Sequence, residues 1–283
     1  VSGGVDSSYL LKVVVEAGLR PLVFHVDAGW NSRLATANIE RLVEYFGVEL
    51  YTEVIPWNEV RAMQLALLKS GVSHLDCVQD HLFFAAMYKF ASKHNIKVIL
   101  SGGNYSTECI RNPVDWMYFQ SDARQLKDIY RHHGEEKLTS FPFTNVLWHK
   151  IYLPYVRGIK VLRPLDLIKY RKQDAIKEME DEFGWEAYPQ KHFESVFTRF
   201  YEAFWLPSRF GYDVRRVQFS SLILTGQMER SEALCRLERS ACEQIDVQSD
   251  KEFIARKLGV SSEELDEYMR APKRSWKDYK NNH

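Results

Sequence analysis

Segments with helical periodicity alternate with short apolar runs over the first part of the chain. Apolar residues recur every three or four positions in three predicted helices. These helices are 7–17, ended by Gly18, 35–46, ended by Gly47, and one around 82–90, where Asp76 or Asp80 can cap the start. Four apolar runs have the length of strands, at 21–29, 48–55, 96–104 and 159–165. This alternation predicts an α/β fold with a doubly wound, mostly parallel sheet.

The pattern becomes helical throughout from about residue 171. Helical spacing continues to Gly184, an aromatic-rich helix covers 192–206, and another covers 230–245. Ser261 and Glu264 form the capping box of a last helix. We therefore predict two domains, a sheet domain at 1–170 and a helical region at 171–283 that contacts the substrate or a partner.

Composition narrows the class of protein without identifying it. The 283 residues are 45% hydrophobic and 27% charged, and the 38 basic residues equal the 38 acidic ones. This balance removes the simplest argument for nucleic-acid binding. No apolar run has the length of a membrane span, and no charged segment followed by an apolar one indicates secretion. The four scattered cysteines favour reduced thiols, so a cytoplasmic protein without membrane association is expected.

A glycine-rich turn with an acid opens the first helix, in the sequence SGGVDSS at residues 2–8. No Lys follows the glycines as in a Walker A loop, and the glycine spacing does not match a dinucleotide fingerprint. The backbone N–H groups of residues 3–8 can instead hold a pyrophosphate, while Asp6 holds a bridging Mg²⁺. The predicted phosphate-binding residues are Ser2, Gly3, Gly4, Val5, Asp6, Ser7 and Ser8, with Asp6, Ser2 and Ser7 also catalytic.

This loop resembles the SGGxDS loop of PP-loop ATP pyrophosphatases. These enzymes cleave ATP to AMP and pyrophosphate in order to activate an oxygen atom. The resemblance implies ATP and Mg²⁺ as cofactors. It also implies that adenosine binds at the end of the strand within 21–29, where His25, Asp27 and Gly29 stand.

A second glycine pair follows the strand within 96–104, in the sequence SGGNYSTE at 101–108. Paired glycines after a strand permit either a tight turn or close approach of a ligand to the backbone. We favour ligand contact, because the carboxyl ends of parallel strands meet at one edge. The predicted contacts are Gly102 and Gly103 with Asn104 for the nucleotide, Thr107 for the substrate and Glu108 as a catalytic residue.

A longer resemblance extends over nearly the whole chain. The segments GGNYSTE, RPLDLIKYRKQDAIKEMEDEFGW, KHFESVFTRFYEAFWLPSRFGYD and RRVQFSSLILTGQM are similar to the N-acetyl sugar amidotransferase family. Members of this family serve O-antigen and nonulosonic-acid biosynthesis and convert an acetamido group into an acetamidino group. The resemblance implies a nucleotide-sugar substrate and a separate glutaminase subunit that supplies ammonia. An oligomer of this chain is compatible with the resemblance.

Charged residues of the helical region are the candidates for substrate recognition. They are Lys191, His192, Glu194 and Arg199, predicted to lie in a helical stretch, and Arg215 and Arg216 beyond it. A solvated charged face is the ordinary explanation of such residues. The alternative is recognition of a sugar-nucleotide diphosphate, which suits the fork geometry of arginine.

Two other functions compete with the amidotransferase. PP-loop enzymes that thiolate tRNA use cysteines, and Cys77 and Cys109 stand near the predicted cleft, although buried, unreactive thiols would explain both. The second alternative is a truncated, non-catalytic nucleotide-binding fragment. It arises because family members carry a cysteine-rich segment and a first strand before SGG, and neither precedes residue 1 here.

Overall fold

The computed structural model describes residues 1–113, 116 and 121–282, and most of them are helical. In chain order the elements are α1 Val5–Glu16, β1 Val23–Asp27, α2 Arg33–Phe46, β2 Leu50–Val54, α3 Trp57–Ser70, α4 Cys77–Lys93, β3 Val98–Leu100, α5 Tyr105–Glu108, α6 Ala123–His133, a π-helix Trp148–Val156, β4 Lys160–Leu162, a 3₁₀ turn Pro164–Asp166, α7 Lys172–Phe183, α8 Val196–Phe200, a π-helix Tyr201–Trp205, α9 Leu206–Phe210, α10 Arg215–Leu224, α11 Arg230–Glu238, a 3₁₀ turn Ala241–Gln244, α12 Val247–Leu258, α13 Ser262–Arg270 and a 3₁₀ turn Trp276–Asp278. No helix in these ranges combines the length and the apolar character needed to cross a membrane.

The four strands form two separate parallel sheets, β1 with β2 and β3 with β4. The α/β class is therefore confirmed, but a doubly wound sheet is not shown, since no ladder joins β1 to β3 in the described part of the chain. Residues 1–4 lie beside β1, where the Val1 ammonium donates to Phe24 O at 2.6 Å. They turn into α1 at Gly4, so they form no strand between the two sheets.

Helix ends follow the predicted signals in several places. Ser32 caps α2 by accepting the N–H of Ala35, and Gly47 ends that helix with a φ of +58°. The capping box of Ser261 and Glu264 is present at α13. Asp76 stands at the N-cap position of α4, as predicted, but its side chain makes no capping hydrogen bond.

Helix α3 was not predicted because it is buried on several sides. Val60, Met63 and Leu67 of this helix are each 0% exposed, and the buried set also includes Glu59 and Gln64. A helix surrounded by protein lacks the apolar stripe that reveals a surface helix in a sequence.

The hydrophobic clusters join the two predicted domains. Met63 of α3 and Leu82 of α4 share the largest cluster with Trp205 and with Leu258 of α12. A second cluster unites α1 and α7, and it contains Leu10, Val14, Tyr170, Met179 and Trp185. Because α7 packs on α1, the residues before and after α7 lie close to the glycine-rich loop.

The aromatic residues of 192–206 are mostly core, but the predicted helix begins too early. Ser195 is the N-cap of α8, and His192 has a φ of +69°, which no helix accommodates. Lys191, His192 and Glu194 therefore lie in a crossing segment, residues 190–195, and not in a helix. This segment is fixed to the chain after β1, because Glu194 O accepts the N–H of Ser32 at 2.8 Å.

Candidate functional site

A cavity of about 240 Å³ lies at the N-terminus of α1. Four segments surround it: the loop at 2–8, the loop at 101–108, residues 172–188 with α7, and the crossing segment. Its lining residues are Ser2, Gly4, Val5, Asp6, Ser7, Gly102, Gly103, Glu108, Lys172, Ile176, Trp185, Tyr188, Gln190, Lys191, His192 and Glu194. Most of the phosphate-loop residues predicted from the sequence thus face one cavity with both glycines of the second pair.

The two glycine loops are in backbone contact. A Cβ atom on Gly102 would lie 2.9 Å from both Asp6 C and Ser7 N. A Cβ on Gly3, whose φ is +81°, would lie 2.7 Å from Ala35 O. Side chains at these two positions would displace main-chain atoms, so glycine is required at Gly102 by the close approach of the two loops and at Gly3 by the approach of its loop to α2.

Asp6 is held by two donors on one of its oxygens. Asn104 Nδ2 donates to Oδ1 at 3.1 Å, and the Tyr170 hydroxyl donates to the same atom at 2.7 Å. Burial and the neighbouring Asp6 carboxylate raise the pKa of Tyr170, so this hydroxyl remains a donor. The other carboxylate oxygen of Asp6, Oδ2, lies 3.6 Å from Lys191 Nζ.

The serines of the loop have different environments. Ser2 donates its backbone N–H to Ser7 Oγ at 3.1 Å, and Ser2 Oγ accepts the N–H of Gly4 at 3.3 Å. Ser2 Oγ also donates to Glu194 Oε1 at 3.4 Å. Ser8 is 0% exposed and does not line the cavity. Its backbone N–H donates to Gly4 O, so it belongs to the first turn of α1.

Two lysines contribute positive charge to the cavity. Lys191 Nζ donates to Glu108 Oε1 at 2.6 Å and to Thr107 Oγ1 at 3.4 Å. Burial opposes its protonation, but Asp6 and Glu108 outweigh burial and raise its pKa. Lys172 also lines the cavity, and burial lowers its pKa. Lys172 forms no ion pair with any side chain in the described ranges, so a bound anion would favour its charged form.

Lys172 and Tyr170 were missed by the sequence reasoning. Both flank the start of α7 in the segment RPLDLIKYRK, but no local motif distinguishes them from neighbouring basic and aromatic residues. The packing of α7 on α1 brings them to Asp6, and that contact depends on tertiary structure.

The predicted adenosine residues form a hydrogen-bonded turn at the end of β1, outside the cavity. Asp27 Oδ1 accepts the N–H of Gly29 at 2.7 Å and the amide of Asn31 at 3.4 Å. Asn31 Nδ2 also lies 2.9 Å from His25 Nε2, and burial lowers the pKa of this imidazole. Gly29 has a φ of +85° and packs against Trp57. These residues are close to the crossing segment through the bridge between Asn31 and Ser195.

The predicted substrate residues are divided between the cavity and other places. Lys191, His192 and Glu194 line the cavity, and His192 Nδ1 lies 2.9 Å from Glu202 Oε1. Burial opposes protonation of His192, but the Glu202 carboxylate outweighs it and raises the pKa to about 9.

The three arginines do not line this cavity. Arg199 Nε donates to Asp250 at 2.8 Å, which ties α8 to α12. Arg215 is buried and donates to Asp213 at 2.7 Å. Arg216 is exposed and faces a groove between α10 and α11. Arg199 and Arg215 are thus engaged in ion pairs within the protein and do not reach the cavity.

The carboxylate oxygens of the cavity suit Mg²⁺, but a bound phosphate would have to provide part of its coordination. Asp6, Glu108 and Glu194 provide carboxylate oxygens, the type of donor that Mg²⁺ prefers. No group of three or more His, Cys, Asp or Glu side chains could hold a metal ion by itself within residues 1–113, 116 and 121–282. Phosphate oxygens and water would have to complete the coordination, as is usual for Mg²⁺ in nucleotide sites.

The cysteines do not have the features of a catalytic thiol pair. Cys77 is buried, and burial raises the pKa of its thiol well above the ordinary value. Cys109 is partly buried, and its Sγ lies 3.7 Å from Ser221 O as a donor. A reactive thiol requires a lowered pKa and access, and Cys77 has neither.

Comparison with protein families adds information about the C-terminal part of the chain. Residues 194–283 match the family described as "LPS biosynthesis protein WbpG-like, C-terminal domain". No curated protein matches the chain. The matched region begins at Glu194 in the cavity and continues through α13. The C-terminal part of this chain is therefore similar to the C-terminal domain of WbpG-like lipopolysaccharide biosynthesis proteins.

Proposed function

We propose that the protein is an ATP-dependent amidotransferase of lipopolysaccharide biosynthesis that converts the acetamido group of a sugar nucleotide into an acetamidino group. The observation that carries this proposal is the cavity, in which Asp6 and two lysines stand between two glycine loops in backbone contact. The similarity of residues 194–283 to an LPS biosynthesis domain supports a sugar substrate. In this proposal residues 1–170 bind ATP together with Lys172 and Lys191, and the rest of residues 171–283 contacts the sugar and the partner.

The reaction has two steps. The acetamido oxygen attacks the α-phosphorus of ATP, the bond between the α- and β-phosphates breaks, and pyrophosphate leaves. Ammonia then adds to the activated carbon and loses a proton, and AMP departs with the former acetamido oxygen. An amidine remains on the sugar. Activation is needed because expulsion of oxide or hydroxide directly from an amide carbon is very unfavourable.

The cavity residues have distinct roles in this proposal. The N–H groups of the 2–8 loop and the N-terminus of α1 bind the departing pyrophosphate. Lys172 contributes an unpaired positive charge, and Lys191 exchanges Glu108 for phosphate oxygens. Asp6, oriented by Tyr170 and Asn104, would hold Mg²⁺, which supplies charge neutralisation on the phosphates.

Ammonia would come from another protein in this proposal. Cys77 is buried with a raised pKa, and Cys109 has no histidine as a hydrogen-bond partner in the described part of the chain. A glutaminase needs an activated nucleophile of that kind. Added ammonium salts should therefore replace the partner in an assay.

The direct test is to incubate the protein with ATP, Mg²⁺, ammonium chloride and a panel of acetamido sugar nucleotides, and to quantify nucleotide products. We expect AMP and pyrophosphate in equal amounts, dependent on both sugar and ammonium, and strongly reduced in Asp6→Asn. Formation of ADP would contradict the proposal. Pyrophosphate release that depends on tRNA would favour thiolation, and no turnover with any substrate would favour a non-catalytic fragment.

A further inference from the structure

A groove of about 510 Å³ lies between α10 and α11, away from the cavity residues described above. Each helix contributes residues at i, i+3, i+4 and i+7. The stripe on α10 is Arg216, Phe219, Ser220 and Ile223, and the stripe on α11 is Arg230, Ala233, Leu234 and Leu237. Two parallel stripes with this spacing form the receiving surface that a third helix fills by ridge-into-groove packing.

The charges of the groove indicate which kind of helix it receives. Its apolar floor is open to solvent, with Leu234 52% exposed. Arg216 and Arg230 flank this floor, and neither forms an ion pair with a side chain in the described residues. Glu238 also lines the groove, at the end of α11. An amphipathic helix with acidic residues beside its apolar stripe would complement both the floor and the two arginines.

Helix α10 connects this groove to the ATP cavity. Thr225 Oγ1, at the end of α10, donates to Ser106 O of the second glycine loop at 2.8 Å. Gln227 Oε1 accepts the backbone N–H of the cavity residue Lys172 at 2.9 Å. At 100° per residue, Thr225 lies on the side of the helix opposite the groove stripe. A partner bound in the groove would therefore contact α10, the helix whose C-terminal end contacts both Ser106 and Lys172 beside the cavity.

We propose that the groove between α10 and α11 is the docking site for an acidic amphipathic helix of the protein that supplies ammonia. The identity of that partner rests on the proposed function, whereas the location and chemistry of the surface rest on the groove itself. Helix α10 would then separate the docked partner from the loop that carries Glu108, and it contacts that loop through Thr225.

The test compares two groove variants, Leu234→Glu and Arg230→Glu, with matched controls on the α1–β1 loop, Leu19→Glu and Arg20→Glu. Each control places the same new side chain on an exposed residue of the same type. The glutaminase protein that supports glutamine-dependent AMP release is titrated against each variant by calorimetry. AMP release is then measured with glutamine plus glutaminase and, separately, with ammonium chloride.

We expect both groove variants to bind the glutaminase at least tenfold more weakly and to lose glutamine-dependent AMP release in proportion. Ammonium-dependent release should stay within twofold of the unmodified protein, as in the controls. Unchanged glutaminase affinity in both groove variants would overturn the docking proposal. A concentration-dependent dimer that Leu234→Glu abolishes would also overturn it, because a second copy would then fill the groove. AMP release with glutamine plus glutaminase but none with ammonium would instead overturn the use of free ammonia in the proposed function, while the calorimetry still decides the docking site.

Discussion

Replacing Gly102 by alanine tests whether the two glycine loops together form the ATP site. The added Cβ would lie 2.9 Å from Asp6 C and Ser7 N, and 3.0 Å from Asp6 O. These are main-chain atoms at the start of α1, so the loop itself must shift. Such overpacking typically costs about 1–3 kcal/mol, which corresponds to a loss of about 5- to 150-fold in ATP affinity if the cost falls on the phosphate-binding conformation.

The neighbouring glycine provides a matched control for this experiment. In Gly103→Ala the new Cβ would lie 3.1 Å from Nη2 of Arg163, the mobile end of a long side chain. Both glycines line the cavity, so we expect some loss of ATP affinity in this variant, but a smaller loss than in Gly102→Ala, because the two loops keep their backbone contact. ATP affinity is measured by isothermal titration calorimetry, with urea unfolding as a check on stability. Equal affinities for Gly102→Ala and Gly103→Ala would refute the argument from backbone contact.

Three further predictions concern other parts of the site. Lys172→Met should raise the KM for ATP about tenfold or more, because a charge-assisted contact to a phosphate is lost. Lys177→Met, on the exposed side of α7, should leave the KM unchanged. Equal KM values for the two variants would refute the role of Lys172. Cys109→Ser should retain AMP release within about twofold, since the proposed chemistry needs no thiol, and loss of activity would favour thiolation. Glu202 raises the pKa of His192 to about 9 in the folded protein, compared with about 6.5 in the unfolded chain. The ion pair therefore stabilises the folded state fully below pH 6.5, and this stabilisation is lost as the pH rises through 9. Urea unfolding between pH 6 and 10 should show a larger loss of stability in the parent than in His192→Gln.

The contact between the two glycine loops could be anticipated from the sequence because it follows from local rules. Each glycine pair follows a strand or precedes a helix, and such turns gather at one edge of a parallel arrangement. The structure brings Gly102 against Asp6 and Ser7, and Asn104 donates to Asp6, as this rule suggests. Helix boundaries set by Gly47 and Ser261 were equally accessible, since they depend only on neighbours in the chain.

The remainder of the site depends on tertiary packing. Tyr170 and Lys172 reach the cavity because α7 packs on α1, and nothing in the local pattern specifies that contact. The crossing segment was predicted as helix because its residues have helical spacing, but His192 adopts a positive φ that neighbouring elements hold in place. Arg199 and Arg215 were credible substrate ligands until their partners Asp250 and Asp213 were located.

The central claim is that the acetamido oxygen of the sugar is transferred to AMP. The most direct measurement uses an acetamido sugar nucleotide labelled with ¹⁸O in the acetamido group, incubated with ATP, Mg²⁺ and ammonium chloride. Mass spectrometry of the nucleotide product should find one ¹⁸O atom in each AMP formed, with none in pyrophosphate. Unlabelled AMP, or ¹⁸O retained in the sugar while AMP accumulates, would contradict the account.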